Sequence, residues 1–170
     1  MFVVGGNETT TFLLSSIFLR LAQDPQLADR ARADHAIIPA LIDEMLRLES
    51  PAQGVFRSAR RDVNLRGKTI PGGAIVFVLL GSGNRDEETF NDAAELNLDR
   101  NPSEAVHLAF GRGQHFCLGA SLARSEVRIA LEVLLPRMHD LRLEPGGTVL
   151  RTQSMMLRGL ARLDLTYNPA

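Results

Sequence analysis

The chain has little cysteine and almost no net charge. Its 170 residues contain one cysteine, Cys117, so no disulfide can form within the chain. Such scarcity is typical of proteins in reducing compartments, and we expect a cytoplasmic location. With 19 basic and 20 acidic residues, the formal net charge is −1. A near-neutral chain has no strong field to attract nucleic acid or an anionic membrane, so neither is an expected partner.

The sequence also lacks an uninterrupted apolar run of membrane-spanning length. Residues 1–4 and 12–21 are apolar, but the polar segment 5–8 separates them. No basic segment precedes them, and a signal peptide or membrane span would rarely carry Glu8 there. The run therefore indicates a buried helix. Because no capping residue precedes it, we expect the protein to begin upstream of Met1.

What the chain does contain is an ordinary globular composition, with 45% apolar and 23% charged residues. Apolar spacing and turn residues predict helices over 1–22, 25–34, 39–48 and 118–135, and short strands between 55 and 80 and between 141 and 167. The predicted buried stripes are Leu13, Ile17 and Leu21, then Ile38, Leu41, Met45 and Leu48, then Ala123, Val127, Ala130 and Leu134. The pattern is that of a mainly α protein with small β-sheets, in which the long irregular stretch 81–116 is expected to be functional.

The most informative segment is the ten residues from Phe110 to Gly119. Gly111 and Gly113 permit a tight loop with positive φ. A helix that starts just after Cys117 would direct free N–H groups and its positive end towards a thiolate. Gly119 lowers helix propensity in the first turn, which indicates that a flat ligand approaches closely there.

A thiolate at this position has several uses. It serves as a nucleophile, a redox sensor or a metal ligand, while a lone cysteine is most often a small buried hydrophobe. A zinc site needs about four ligands, and one cysteine with four scattered histidines disfavours it. A thiol enzyme that uses Cys117 with His115 is an alternative, although it gives no role to Glu44, Arg47 or Arg100.

The loop resembles that of the cytochrome P450 haem-thiolate monooxygenases of the soluble bacterial type. The family pattern is Phe-Gly-x-Gly-x-His/Arg-x-Cys-x-Gly, and this chain fills all six specified positions. The resemblance implies that Cys117 is the proximal iron ligand of haem b, where the thiolate favours O–O cleavage. It also implies that His115 holds a haem propionate, that Phe110 packs near the sulfur, and that Gly111 and Gly119 belong to the cofactor-binding loop.

Residues 5–10 resemble the motif of the family's long distal helix. The resemblance implies that Glu8 and Thr9 are the catalytic acid and alcohol, which deliver protons during O–O cleavage. It also implies a helix that is locally widened to admit O2 and water. The alternative is that Gly5 and Gly6 allow another helix to pack closely.

Charged residues elsewhere extend the resemblance. Glu44 and Arg47 match the family's Glu-x-x-Arg pair, with Arg100 as the third member of a buried charge network. The alternative for that pair is an exposed ion pair on one helix face. Arg57 matches a position whose guanidinium binds a haem propionate, for which an arginine fork is well suited, and the alternative is a solvated arginine at a strand end.

The resemblance covers only the C-terminal part of the family's fold. It implies that residues 1–170 are the C-terminal haem-binding portion of a single domain whose N-terminal part is absent. The intact parent would insert one oxygen atom from O2 into a small apolar organic substrate, with Met155 and Met156 as candidates for the pocket lining. Electrons would come from a ferredoxin or flavoprotein that docks near Arg112 or Arg124. The alternative is an inactive truncated haem-binding remnant.

Overall fold

The computed structural model describes residues 2–101 and 106–170. The helices in this part of the chain are α1 (Phe2–Gln23), α2 (Pro25–Ala33), α3 (Ile38–Glu49), α4 (Leu80–Gly83) and α5 (Ala120–Leu134). The strands are β1 (Gly54–Ser58), β2 (Val63–Leu65), β3 (Lys68–Ile70), β4 (Ile75–Leu79), β5 (Met138–Leu143), β6 (Val149–Arg151), β7 (Leu160–Leu163) and β8 (Leu165–Pro169). They form four antiparallel pairs, β1–β4, β2–β3, β5–β8 and β6–β7. The predicted mainly α architecture with small sheets is confirmed.

Capping side chains set the boundaries of α2 and α3. The Asp24 carboxylate accepts a hydrogen bond of 3.1 Å from the Leu27 amide, and Pro25 occupies the first turn of α2, where its missing N–H costs nothing. Ser50 has a φ of 40° and ends α3, and its hydroxyl lies 3.0 Å from the Arg47 carbonyl. The end of α3 is therefore fixed one turn after the Glu-x-x-Arg pair.

The core lies where α1, α3 and α5 pack together, with β5 beside α1. The stripes predicted for α1 and α3 are buried, as expected. The prediction for α5 was partly wrong, because Leu134 is exposed and the core positions of this helix are Val127 and Leu131. Helix α5 carries apolar residues on two sides, so its periodicity alone does not identify the side that packs against α3. No helix within the described residues is both long and apolar enough to cross a membrane.

Candidate cofactor site

The cysteine loop is closed by its own backbone hydrogen bonds. The Gly111 amide donates to the Leu108 carbonyl at 2.8 Å, and the Cys117 amide donates to the Phe110 carbonyl at 2.9 Å. Gly111 and Gly113 have φ of 70° and 75°, a region in which a side chain is strained. The predicted positive-φ loop is confirmed, and it fixes the backbone that carries the cysteine.

The thiol of Cys117 is exposed just before helix α5. The helix begins at Ala120, with Gly119 as its N-cap residue, two residues later than the sequence predicts. Within the described structure, the amides of Leu118 and Gly119 donate no hydrogen bond. A Cβ built on Gly119 would meet the Cys117 Sγ at 3.9 Å, an ordinary contact, and the space around it is otherwise open. The loop thus presents a sulfur and two free N–H groups to solvent.

Apolar side chains flank this sulfur. Phe116 is 54% exposed and Leu118 is 82% exposed, on either side of Cys117. Large apolar groups that face solvent next to a thiol form a surface that an apolar ligand can cover. His115 is also exposed and has no hydrogen-bond partner among the residues described. The loop thus offers one sulfur, apolar side chains around it and the imidazole of His115. These groups fit a flat cofactor that carries carboxylates, such as haem.

An ion pair that the sequence did not reveal attaches this loop to α3. The Arg124 guanidinium lies 4.6 Å from the centroid of the Phe110 ring, and its Nε donates to Asp43 Oδ1 at 2.8 Å. Burial raises the pKa of Asp43, but hydrogen bonds from His107 and Arg124 lower it more, so the pKa lies below its ordinary value. Arg124 therefore joins Phe110 to α3. Asp43 and Arg124 are 81 positions apart, and no local pattern connects them.

His107 belongs to the same cluster. Its Nδ1 accepts a hydrogen bond of 3.2 Å from the Ala109 amide, which places the proton of a neutral ring on Nε2. That nitrogen lies 3.5 Å from Asp43 Oδ1. The ring centroid of Phe110 is 6.0 Å from that of His107. His107 thus supports the backbone that leads into the cysteine loop.

The predicted charge network of Glu44, Arg47 and Arg100 is present, and it is buried. Arg47 Nε donates to Glu44 Oε1 at 2.7 Å, and its Nη2 donates to Oε2 at 2.9 Å. Arg100 Nε donates to the same Oε1 at 3.0 Å. Only 1% of the Arg47 side chain is exposed, which excludes the alternative of a solvated surface pair. The ring of Phe90 lies against both guanidinium groups, 5.2 Å from Arg47 and 5.7 Å from Arg100.

Sequence reasoning missed the part that Asn84 plays beside this network. Asn84 is fully buried, and its side-chain amide donates to the Ser50 hydroxyl at 2.7 Å while its Oδ1 accepts from the Leu108 amide. Its backbone carbonyl accepts from Arg47 Nη1 at 3.0 Å. One asparagine thus connects the end of α3 to the segment that enters the cysteine loop. Its side-chain partners lie 34 and 24 positions away, so no local pattern in the sequence indicates them.

Helix α1 carries the predicted catalytic pair but not the predicted widening. Glu8 is exposed, and the Thr9 hydroxyl donates to the Gly5 carbonyl at 2.8 Å. The helix is continuous from Phe2 to Gln23, so the local widening expected from the sequence is absent. Within the described residues no atom lies within 4 Å of a Cβ built on Gly5 or Gly6, so no described helix packs closely against these two glycines.

Arg57 lies on β1, where its Nη1 donates only to the Phe56 carbonyl at 2.9 Å. Within residues 2–101 and 106–170 it has no carboxylate partner. No hydrogen bond or ion pair in the same residues connects Arg57, Glu8 or Thr9 to the cysteine loop. Glu8 and Arg57 are exposed and Thr9 is half-buried, so the described contacts do not bring these three side chains together with Cys117.

The site thus combines one accessible thiol just before a helix, apolar side chains around it, and a buried acid–guanidinium network beside α3. The chain belongs to the cytochrome P450 family, since the family model "Cytochrome P450" matches residues 1–167. The identification made from the cysteine loop is therefore confirmed, and the family implies a haem cofactor.

Individual relatives agree with this assignment. Cytochrome P450 107B1 of Saccharopolyspora erythraea is 41% identical over 167 residues, which cover 97% of this chain and 41% of that protein. The structure of CYP109Q5 from Chondromyces apiculatus has a TM-score of 0.92 and 39% identity, over 99% of this chain and 43% of the other. CYP109E1 from Bacillus megaterium, in complex with testosterone, has a TM-score of 0.93 and 38% identity, over 98% and 46%. The chain thus spans about two fifths of the length of the curated relatives it matches.

Proposed function

We propose that residues 1–170 are the C-terminal haem-binding portion of a haem-thiolate monooxygenase, with Cys117 as the iron ligand of haem b. One observation carries the proposal: the Cys117 thiol is exposed at the start of α5, next to two amides that donate to no described group. Free N–H groups and the positive end of a helix stabilise a thiolate. Gly111 and Gly119 keep the loop compact and the face above it open.

The haem carboxylates would be held by His115 and Arg57. Both side chains are exposed, and neither has a carboxylate partner in the described part of the chain. A guanidinium fork matches a propionate in geometry and charge. Phe110 acts through its backbone, because its carbonyl accepts the Cys117 amide and its ring is held by Arg124. When bound, haem supplies the iron at which O2 is activated, so that one oxygen atom enters an organic substrate.

Glu8 and Thr9 would handle the protons of the reaction. The Thr9 hydroxyl donates its proton to the Gly5 carbonyl, so its oxygen is free to accept a hydrogen bond. Glu8 is exposed and precedes Thr9 on α1, where side chains at i and i+1 do not face each other. A proton would therefore pass between the Glu8 carboxyl and the Thr9 oxygen through water.

The substrate would be a small apolar organic molecule. Met155 and Met156 are 65% and 42% exposed, and flexible thioethers suit an adaptable apolar pocket. A steroid, testosterone, is bound in the CYP109E1 structure. The electron donor would be a ferredoxin or flavoprotein in the cytoplasm. Of the two arginines expected to contact it, Arg112 is free for docking, whereas Arg124 is engaged with Asp43.

The test is an absorption spectrum of the purified chain with added haem, reduced with dithionite and exposed to carbon monoxide. We expect the long-wavelength Soret band of a thiolate-ligated haem, and its loss in Cys117→Ala. His115→Ala should weaken haem binding, because it removes a proposed propionate partner, and leave the position of the band unchanged. His139→Ala is its matched control, because His139 is an exposed histidine on β5. A short-wavelength Soret band in the unaltered chain would contradict ligation by Cys117.

An inactive haem-binding remnant is the second candidate, because the chain spans only two fifths of its relatives. Both candidates predict the long-wavelength band, and turnover separates them. A monooxygenase would consume NAD(P)H in the presence of ferredoxin, ferredoxin reductase and an apolar substrate, with product formed in proportion. A remnant would show the band with no product.

A further inference from the structure

The hairpin formed by β2 and β3 lies in a strongly basic segment of the chain. Residues 57–68 contain five basic side chains and one acidic side chain, whereas the whole chain has a net charge of −1. The acidic residue, Asp62, bonds to the backbone, since its Oδ1 accepts from the Gly72 amide at 2.7 Å. Three of the basic side chains are exposed and have no acidic partner within the described residues: Arg60, Arg61 and Lys68. The net charge, on which the expectation of no membrane partner rested, therefore does not describe this segment.

Apolar side chains lie beside these cations on one face of the hairpin. Val63 pairs with Ile70 across the two strands, and Leu65 pairs with Lys68. Cross-strand partners and alternate residues of a strand share a face, so all four lie on the same side. Val63 is 43% exposed and Leu65 is 61% exposed. The hairpin therefore presents alkyl groups and an ammonium group to solvent on the same face.

A tight turn fixes the conformation of the hairpin before any partner arrives. Arg66 and Gly67 connect the two strands and have φ of 48° and 77°. Positive φ at both central residues is typical of a type I′ turn, whose twist matches that of the flanking strands. Arg66 Nη2 also donates to Glu88 Oε2 at 3.2 Å. Little further ordering is therefore needed when another surface contacts this face.

An anionic lipid bilayer suits this surface better than a protein partner does. A specific protein interface buries about 800 Å² on each partner and depends on complementary shape. Residues 60–69 are all exposed and form a narrow projection with no concave surface of their own. A peripheral membrane contact needs only cations near the lipid phosphates and a few apolar side chains that enter the boundary between headgroups and acyl chains. The hairpin supplies both kinds of group.

We propose that the β2–β3 hairpin binds the surface of an anionic lipid bilayer. Arg60, Arg61 and Lys68 would lie at the level of the lipid phosphates, and Val63 and Leu65 would enter the bilayer beneath them. The inference goes beyond the proposed function, because the hairpin carries none of the residues of the proposed haem site. An apolar substrate dissolves in lipid, so this contact would hold the chain beside a reservoir of such molecules.

The test is co-sedimentation of the full chain, without added haem, with two kinds of vesicle. One is phosphatidylcholine alone, and the other is an equimolar mixture with phosphatidylglycerol. We expect binding to the mixed vesicles only, and weaker binding at higher ionic strength, because salt screens the charges. The double variant Arg60→Gln and Arg61→Gln should bind at least about tenfold more weakly, since each cation near an anionic surface adds to the attraction.

The charge control is the double variant Arg30→Gln and Arg137→Gln. Both residues are exposed and have no acidic partner within the described residues, and they lie on α2 and in the turn after α5. This variant should change vesicle binding less than about twofold, because it removes the same charge away from the hairpin. Equal binding in the two double variants would overturn the proposal, as would no binding to the mixed vesicles or equal binding to both kinds of vesicle.

The apolar contact has a matched pair of its own. Leu65 on the hairpin and Leu122 on α5 are each 61% exposed. The chain contains no tryptophan, so Leu65→Trp and Leu122→Trp each introduce a single fluorescent reporter. Mixed vesicles should shift the emission of Leu65→Trp to shorter wavelength, because its indole leaves water, and leave that of Leu122→Trp unchanged. Unshifted emission from vesicle-bound Leu65→Trp would indicate a purely ionic contact, such as an acidic protein makes, and would overturn the proposal.

Discussion

At the residue scale, the side chain that most constrains this structure is Arg47. Its five N–H donors make five hydrogen bonds, two to Glu44 and three to the backbone carbonyls of Asn84, Ala93 and Glu95. A buried charge is tolerated only when its donors and its counter-charge are satisfied, and here both are. Arg47 therefore connects the irregular segment to α3 at three backbone carbonyls, and the loss of Glu44 would leave its charge buried without a counter-charge.

Replacing Glu44 by glutamine tests this dependence. The variant leaves Arg47 buried without its counter-charge, so we expect the free energy of unfolding to fall by about 3–5 kcal/mol. Urea denaturation followed by circular dichroism measures the change. The control is Glu132→Gln, which removes the exposed partner of Arg128 and should cost less than about 0.5 kcal/mol. If the two variants lost similar free energies of unfolding, burial would not increase the cost of removing the carboxylate, and the prediction would be wrong.

The Glu44 carboxyl group also predicts that the free energy of unfolding falls at acid pH. Burial raises the pKa of Glu44. Hydrogen bonds from Arg47 and the Asn97 amide, with the charges of Arg47 and Arg100, lower it more, so the pKa lies below its ordinary value of 4.5. A lowered pKa in the folded state stabilises the fold above pH 4.5, and this stabilisation is lost as the pH falls through the folded-state pKa. The difference in urea midpoint between the unaltered chain and Glu44→Gln should therefore be largest near pH 7 and become smaller below pH 4.5. A constant difference from pH 7 to pH 3 would contradict it.

At the scale of elements, the cysteine loop shows what sequence predicts and what it misses. The positions of Gly111 and Gly113 predicted the positive-φ turns, because glycine is the residue that adopts them without strain. The Glu44–Arg47 spacing likewise predicted the pair, since i,i+3 residues share a helix face. The attachment of Arg124 to Asp43 was not predictable, because it depends on how α5 packs against α3 and leaves no local pattern.

The Arg124 attachment makes a prediction about the loop. Arg124→Gln removes an ion pair and a cation–π contact, together worth about 1 kcal/mol at this partly exposed site. The Cys117 amide, which is bonded to the Phe110 carbonyl, should then exchange its hydrogen about fivefold faster, because the loop opens more often. Hydrogen exchange monitored by NMR measures the rate. Arg128→Gln is the control on the same helix. If the Cys117 amide also exchanged faster in Arg128→Gln, the cause would be a general loosening of α5 and not the loss of the Arg124 contacts.

At the scale of the whole molecule, the described chain leaves a second apolar face of α5 uncovered. Leu122, Ile129 and Val133 are 61%, 52% and 46% exposed, at spacings that place them along one side of the helix. The sequence predicted an apolar stripe on α5 and placed it partly on the wrong residues, because two faces of this helix are apolar and periodicity does not rank them. Only packing against α1 and α3 decides which face is the core.

An exposed apolar face of this kind predicts self-association of the isolated chain. Contiguous apolar surface in contact with water favours contact with another such surface. We expect sedimentation velocity to show a weight-average mass that rises with protein concentration. The double variant Leu122→Gln and Ile129→Gln should stay monomeric over the same range and keep its free energy of unfolding within about 1 kcal/mol, because neither residue packs in the core. As a control, Val63→Gln changes an exposed residue of β2 and should leave association unaltered. A chain that is monomeric at every concentration would contradict the prediction. It would show that this apolar face of α5 is too small or too curved for two chains to associate through it.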